Sequence, residues 1–406
     1  MKIYSLTDLS MKKIKLSLLW QVLIAVAAGV LFGQFLPAQI ARVFVTFNGL
    51  FGNFLTFAIP LIIIGLVVPA IADLGKGAGK LLAITALIAY LFTISSGFFT
   101  LLCGEMIFPS IIVSGSAEAI THPGDMALTP FFTVAMPAPV DIMTALLLSF
   151  CVGLGLSVIH GDTLKRAASD FRDIITLLIA KVIIPLLPLH IFGIFLNMTV
   201  TGQVLSIITV FLKIIVIIFI LHIVLLLIQF TIAGAVSRKN PLRLLKNMMP
   251  AYATALGTQS SAATIPVTLA QTIKNGVSQN IATFVIPLCA TIHLSGSTMK
   301  IVACSMAVLL MGGMPIDLTD YSGFILMLGI TMVAAPGVPG GAIMAALGLL
   351  EGMLGFDETA QALMIALYIA MDSFGTACNV TGDCAIALVV DRIASGKDKQ
   401  ISPDKK

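Results

Sequence analysis

Charge is scarce in this chain of 406 residues: Asp, Glu, Lys and Arg together make up 10% of it, against about 25% in a soluble domain. Hydrophobic residues make up 58%, so too little polar surface remains to cover a soluble globular fold. The loops between apolar runs are short, which leaves no room for a sizeable extramembrane domain. Cysteine is sparse and unpatterned. All six, Cys103, Cys151, Cys289, Cys304, Cys378 and Cys384, lie inside apolar segments without a CxxC, which argues against a disulfide framework or a metal cluster. The 23 basic residues are scattered through short loops, so the net charge of +4 does not point to nucleic acid as a partner. No nucleophile–base pair or metal cluster is visible in the spans, and an enzyme is not expected.

Long apolar runs are abundant, and the mean hydropathy is +1.08. In hydrocarbon only helices or a closed barrel satisfy the backbone, and runs of 18–20 residues or more are too long for barrel strands. Spans are expected at residues 15–36, 44–71, 81–112, 142–159, 174–198, 204–236, 281–310 and 360–390. The N-terminal stretch with Lys2, Lys12, Lys13 and Lys15 lacks the short apolar core and A-x-A exit of a cleaved signal, so the first run reads as a retained transmembrane helix. With both termini cytoplasmic, Arg42 alone of the basic residues falls outside, and Lys181, Lys213 and Lys300 fall within spans. The outer loops carry Glu118, Asp125, Asp317, Asp320, Glu351, Asp357 and Glu358 instead. This is the charge asymmetry of a multi-pass protein of the cytoplasmic (inner) membrane, with the lipid bilayer as its solvent.

The orientation holds if residues 244–273 and 321–354 each enter and leave on one side. Each is long enough for two half-helices of about 12–14 residues, reaching roughly 18–21 Å, to mid-membrane. Their tips, Gly257-Thr258-Gln259-Ser260-Ser261 and Ala335-Pro336-Gly337-Val338-Pro339-Gly340-Gly341, have the composition of non-helical backbone, which survives at that depth only when buried or lining a cavity. Each is followed by a span that reads as interrupted, at Thr291–Ser297 and at Asn379-Val380-Thr381-Gly382-Asp383. A broken hairpin followed by a broken helix, twice and from opposite sides, is the pattern of an inverted-repeat transporter. The fold class expected is therefore an all-α polytopic membrane protein with eight transmembrane helices and two re-entrant helical hairpins.

Asp372, Thr376, Asn379 and Asp383 are spaced i, i+4, i+7, i+11 and share one helix face. Carboxylates at bilayer depth cost at least about 2.5–3.5 kcal/mol each and call for partners. Structural ion pairs with Lys213 or Lys300 are one account of them. Half-helix N-termini holding a carboxylate, with Asp372 taking an ammonium and Asp383 a small cation, are the other.

At this point the motifs resemble those of the dicarboxylate/amino acid:cation symporters, the glutamate transporter-like family. Gln259–Pro266 resembles the family's serine-rich first tip, Gly337-Val338-Pro339-Gly340 its second, and Asn379–Asp383 its NVxGD signature, with Asp372 and Thr376 at the expected offsets. The resemblance implies a homotrimeric elevator transporter. Residues 15–72 and 142–198 would be scaffold; 81–113, 204–236, both hairpins, 281–310 and 360–390 would form the transport domain. It also implies that Asp372 binds the substrate amino group and that Thr376 and Asn379 contact the substrate. Backbone at Ser260, Ser261 and Ala262 and at Val338, Gly340 and Gly341 would cradle the carboxylate. Asp383, with carbonyls of Cys289, His293 and Asn379, would hold sodium, and the Thr291 carbonyl a second sodium under the closing hairpin.

Departures from the family pattern bear on the substrate. Gly375 stands where acidic-substrate members carry arginine, and Gln259 where some carry another, so an acidic side chain finds no guanidinium clamp. A small neutral amino acid such as serine, threonine or alanine is expected, as in the bacterial serine/threonine branch. Ser295 replaces the aspartate of a third sodium site. Lys300 is a candidate to put its ammonium in that place, and His293 could bring a proton in place of sodium. The alternatives are an acidic or dicarboxylate symporter that uses Lys300 or Lys213 instead of arginine, and a passive channel or sensor.

Overall fold

The computed structural model of the chain describes residues 18–75, 80–112, 128–202, 204–335 and 340–398. Among them every regular element is helical. In chain order these are α1 (Leu18–Gly33), α2 (Ala38–Gly75), α3 (Lys80–Ile111), α4 (Ile142–Val158), α5 (Thr163–Leu178), α6 (Ile184–Val200), α7 (Val204–Ser237) and α8 (Pro241–Thr258). There follow α9 (Ser261–Lys274), α10 (Gln279–Ile292), α11 (Ser295–Met311), α12 (Leu318–Ala334), α13 (Gly341–Leu354), α14 (Glu358–Ala370) and α15 (Asp372–Asp398). Among the described residues six stretches are long and apolar enough to cross a membrane, which makes the chain a multi-pass membrane protein.

Local chemistry sets the helix ends. Asn240 accepts a bond from the Arg243 N–H ahead of Pro241 at the first helical position, where a missing N–H costs nothing. Four acids of the segments assigned to the outside act as N-caps or sit in the first turn beside one: Asp317 caps α12 and Asp357 caps α14, with Asp320 and Glu358 in the respective first turns. The N–H groups of Asp320 and Thr319 hold the Asp317 carboxyl below the usual carboxylate range. Between α5 and α6 lies one π turn, Ile179–Ile183. Pro185 brings no N–H to the carbonyl four residues before it, and the ladder widens to accommodate that loss. Lys181 sits on this turn and is exposed, as snorkelling from a span requires. Lys213, on α7, is exposed as well.

The hydrocarbon-facing exterior and the interior separate clearly. On α7, Leu212, Val216, Phe219 and Ile223 form an exposed apolar stripe at helical spacing. Two stretches are different: the most apolar 18 residues of Gln279–Met311 and of Asp372–Ala394 are 89% buried, against 28% for those of Leu81–Ile111. They are the inner pair. One apolar cluster joins α1, α2, α6 and the start of α7 to α11–α14; a second joins the rest of α7 to α8, α10 and α15.

Helices α8, α9, α12 and α13, of 14–18 residues, rise about 21–27 Å at 1.5 Å per residue, short of the roughly 30 Å of a hydrocarbon core. Between α8 and α9 the chain turns on Gln259, in the left-handed region at φ 53°. Gly340, at φ 75°, opens α13, a conformation that glycine adopts without strain.

Two breaks mark the inner pair, one within Gln279–Met311 and one just ahead of Asp372–Ala394. The first lies at His293 and Leu294, inside the stretch expected to break. The second departs from expectation: Asn379–Asp383 is continuous helix, and the break falls at Met371. Gly382 does not unwind the helix because its missing side chain is used for packing. A Cβ there would lie 2.6 Å from Gln229 Oε1 and 2.8 Å from His293 Cε1. Gly382→Ala is therefore expected to destabilise the protein by about 1–3 kcal/mol through overpacking, read as a lowered unfolding temperature in detergent.

Candidate functional site

Three elements meet at the Met371 break: the C-terminal end of α14, the start of α15 and the start of α11. Glycines permit the approach. A Cβ on Gly296 would come within 2.7 Å of both the Gly375 carbonyl oxygen and Cys378 Cβ, so α11 and α15 touch backbone to backbone. Asn379 ties the two together. Its Oδ1 accepts from the Gly296 N–H at 2.8 Å, and its Nδ2 donates to Ser297 Oγ at 3.1 Å. Ser297 Oγ also accepts from the Tyr368 hydroxyl at 3.0 Å, and His222 Nε2 is 3.1 Å from the Gly296 carbonyl. The start of α11 is thus fixed by hydrogen bonds from α7, α14 and α15, the kind of buried network that specifies one geometry when its members are satisfied.

Asp372, the first residue of α15, sits at the centre. Its Oδ1 accepts from Lys300 Nζ at 3.1 Å, and its Oδ2 from the Gly340 N–H at 3.0 Å. Lys300 is wholly buried. Its Nζ also donates to the Met371 carbonyl at 3.4 Å and stands 3.6 Å above the Tyr368 ring centroid. A buried ammonium needs this much compensation, from an anion, a carbonyl and an aromatic face. Gly375 makes the space: a Cβ there would lie 2.6 Å from Lys300 Nζ.

Of the two places the sequence offers Lys300, beside Ser295 or on an aspartate, the structure has the second: it pairs with Asp372, while Ser295 Oγ accepts from Gln229 Nε2 at 3.0 Å and the Ser295 carbonyl from Ser96 Oγ at 2.8 Å. Residues 295 and 300 are five apart on a continuous helix and face different directions. Of the two aspartates considered for lysine pairing, Asp372 takes one and Asp383 does not.

Asp383 pairs with a histidine instead. His293 Nδ1 and Asp383 Oδ1 are 2.9 Å apart, and both side chains are buried. Asp383 Oδ2, Thr381 Oγ1 and His293 Nε2 are buried without a hydrogen-bond partner, a cost unless something else satisfies them. An orphaned carboxylate oxygen suits a hard cation such as sodium. The Cys289 carbonyl, by contrast, already accepts the His293 N–H that ends α10, at 2.9 Å. Thr291 is exposed, its hydroxyl bonded to the Leu288 carbonyl.

At the first tip, Ser260 caps α9 through Ala263 N–H at 3.3 Å. Ser261 is buried and Ala262 exposed, and the first N–H groups of α9 have no intrahelical partner. Ala255 of α8 packs against Ala377 and Val380 of α15, so this tip also lies along the polar helix. Thr376 and Asn379 are buried one and two turns below Asp372. Gly341 is buried at the start of α13; Val338 lies outside the described residues. Sequence reasoning did not find Tyr368, Gln229 or His222. Their only signal was a polar group in an apolar helix.

The sequence model of the sodium:dicarboxylate symporter family matches residues 18–393. Two proteins named serine/threonine transporter SstT, from Acinetobacter baumannii strains ATCC 17978 and AYE, are each 26% identical over 392 residues, covering 93% of this chain and 97% of the relative.

Proposed function

The chain belongs to the sodium:dicarboxylate symporter family, and from that premise we propose that it is a cation-coupled secondary symporter of small amino acids with neutral side chains. The observation that carries this reading is the face of α15: Asp372, Thr376 and Asn379 in line, with Asp372 bonded to Gly340 at the start of α13. A substrate carboxylate is held by the free N–H groups where α9 and α13 begin. Its remainder lies along Thr376 and Asn379. The side chain is neutral because residue 375 is glycine and residue 259 glutamine, so no guanidinium is offered. The serine/threonine transporters it is similar to support the same class.

Sodium at Asp383 is the coupling ion in this reading. The short half-helices are re-entrant hairpins of a transport domain that moves against a scaffold of α1, α2 and α4–α6, in a homotrimer of the cytoplasmic membrane with both termini inside. The contact of His293 with Asp383 favours a second reading for the ion alone, a proton in place of sodium.

Uptake of radiolabelled serine, threonine, alanine and aspartate into proteoliposomes, with a sodium gradient, a proton gradient or neither, tests both. Sodium-driven accumulation of the neutral amino acids is expected. Accumulation with protons alone assigns the coupling to the His293–Asp383 pair, and aspartate uptake means that Lys300 does the work of the missing arginine. Equilibration without accumulation under every gradient makes the protein a passive channel.

A further inference from the structure

Both oxygens of Asp372 are occupied from within the protein, Oδ1 by the Lys300 ammonium and Oδ2 by the Gly340 N–H. An arriving α-ammonium would meet a like charge already seated on its acceptor. The lysine has no aqueous refuge, since its side chain is buried throughout and its other contacts are the Met371 carbonyl and the Tyr368 ring. Nor is it there by accident of packing: a side chain at position 375 would collide with it. Asp372 and Lys300 together carry no net charge. An ionised carboxylate has about four lone-pair positions, so a neutral hydroxyl can share Asp372 beside Lys300 at less electrostatic cost than a second cation.

We propose that Lys300 is a tethered stand-in for the substrate's α-ammonium, so that the site takes, as a further substrate class, small monocarboxylates bearing a hydroxyl or oxo group where an amino acid bears its ammonium. The inference rests on the reading that Asp372 faces the substrate. The substrate's carboxylate keeps its place at the helix starts near Ser261 and Gly341, and Lys300 completes the charge balance that an amino acid would bring with it.

Matched pairs isolate the effect: L-alanine against L-lactate and L-serine against L-glycerate differ in ammonium versus hydroxyl. Binding and uptake of all four are measured on the full-length protein in proteoliposomes under each gradient. The wild type is expected to carry both hydroxy acids. In Lys300→Met the bare Asp372 carboxylate repels the anion and welcomes the ammonium, and the amino-acid to hydroxy-acid affinity ratio should rise by about 10- to 100-fold, as for one charge-assisted hydrogen bond. The double variant Lys300→Met/Asp372→Asn removes both charges of this pair and covers the case in which the single variant fails to fold. In it the two members of each pair should bind about equally. A wild type that carries alanine or serine and refuses both hydroxy acids overturns the inference and leaves the symport reading standing. So does a ratio unmoved in the folded variants. Absence of uptake of either class under any gradient overturns both.

Discussion

Asp372→Ala is expected to abolish substrate binding and to destabilise the protein by about 3–5 kcal/mol, the cost of leaving a buried charge without its partner. The second effect follows from Lys300, whose ammonium keeps only a carbonyl at 3.4 Å and a ring face once the carboxylate is gone. Stability of a whole domain is of order 5–15 kcal/mol, so the loss should be visible as a large drop in unfolding temperature and a poor yield of folded protein in detergent. Adding Lys300→Met should recover most of the stability, because the charge that needed Asp372 is removed with it. Binding should not return. If the double variant stays as unstable as the single one, the ion pair is not what holds the Met371 break. If Asp372→Ala alone retains full binding, Asp372 does not contact the substrate.

Asp383→Asn should raise the cation concentration needed for half-maximal substrate binding by about 100-fold, corresponding to roughly 3 kcal/mol for one lost charged ligand. The amide preserves shape and can still bond His293 at Nδ1, so the change tests charge and not packing. Thr376→Ala is the comparison. It shares the helix face but offers only a hydroxyl and should leave the cation dependence near that of the wild type while weakening the substrate. The measurement is tracer binding against a sodium titration at constant ionic strength, repeated at two pH values. The same unchanged sodium dependence in both variants would remove Asp383 from the cation site. A shift that follows pH and ignores sodium would assign the proton to the His293–Asp383 pair.

Much of this architecture is legible in the sequence because hydrocarbon is an unforgiving solvent. Apolar runs must be helices, and the breaks at Gln259–Ser260 and at His293–Leu294 sit among serines, prolines and glycines as backbone chemistry requires. Some boundaries moved for local reasons. Helix α2 begins at Ala38, ahead of the apolar run read from residue 44, and α5 adds a polar stretch from Thr163, which carries Lys165, Arg166 and Arg172. The Met371 break was not legible. The sequence around it, Tyr368-Ile369-Ala370-Met371-Asp372, contains no glycine or proline. What stops the helix is tertiary: Asp372 is held by Lys300 from α11 and by Gly340 from the start of α13. The misreading of Asn379–Asp383 is the converse case. Its Gly-Asp pair has the look of a break, yet Gly382 is there to admit Gln229 and His293. The lysine–aspartate contact could be named from the sequence as a possibility, since Lys213 and Lys300 lay in spans together with two aspartates. Which lysine met which aspartate depended on the close passage of Gly296 and Gly375.

That passage makes positions 300 and 375 a single unit of inheritance. Neither can be exchanged freely while the other stays as it is, because a longer side chain at 375 needs the volume that the lysine fills. A change of selectivity by way of a guanidinium at 375 must first, or simultaneously, shorten residue 300, and a library that varies position 375 alone will return mostly broken carriers. Designed changes of substrate by way of position 375 therefore have to be made two residues at a time.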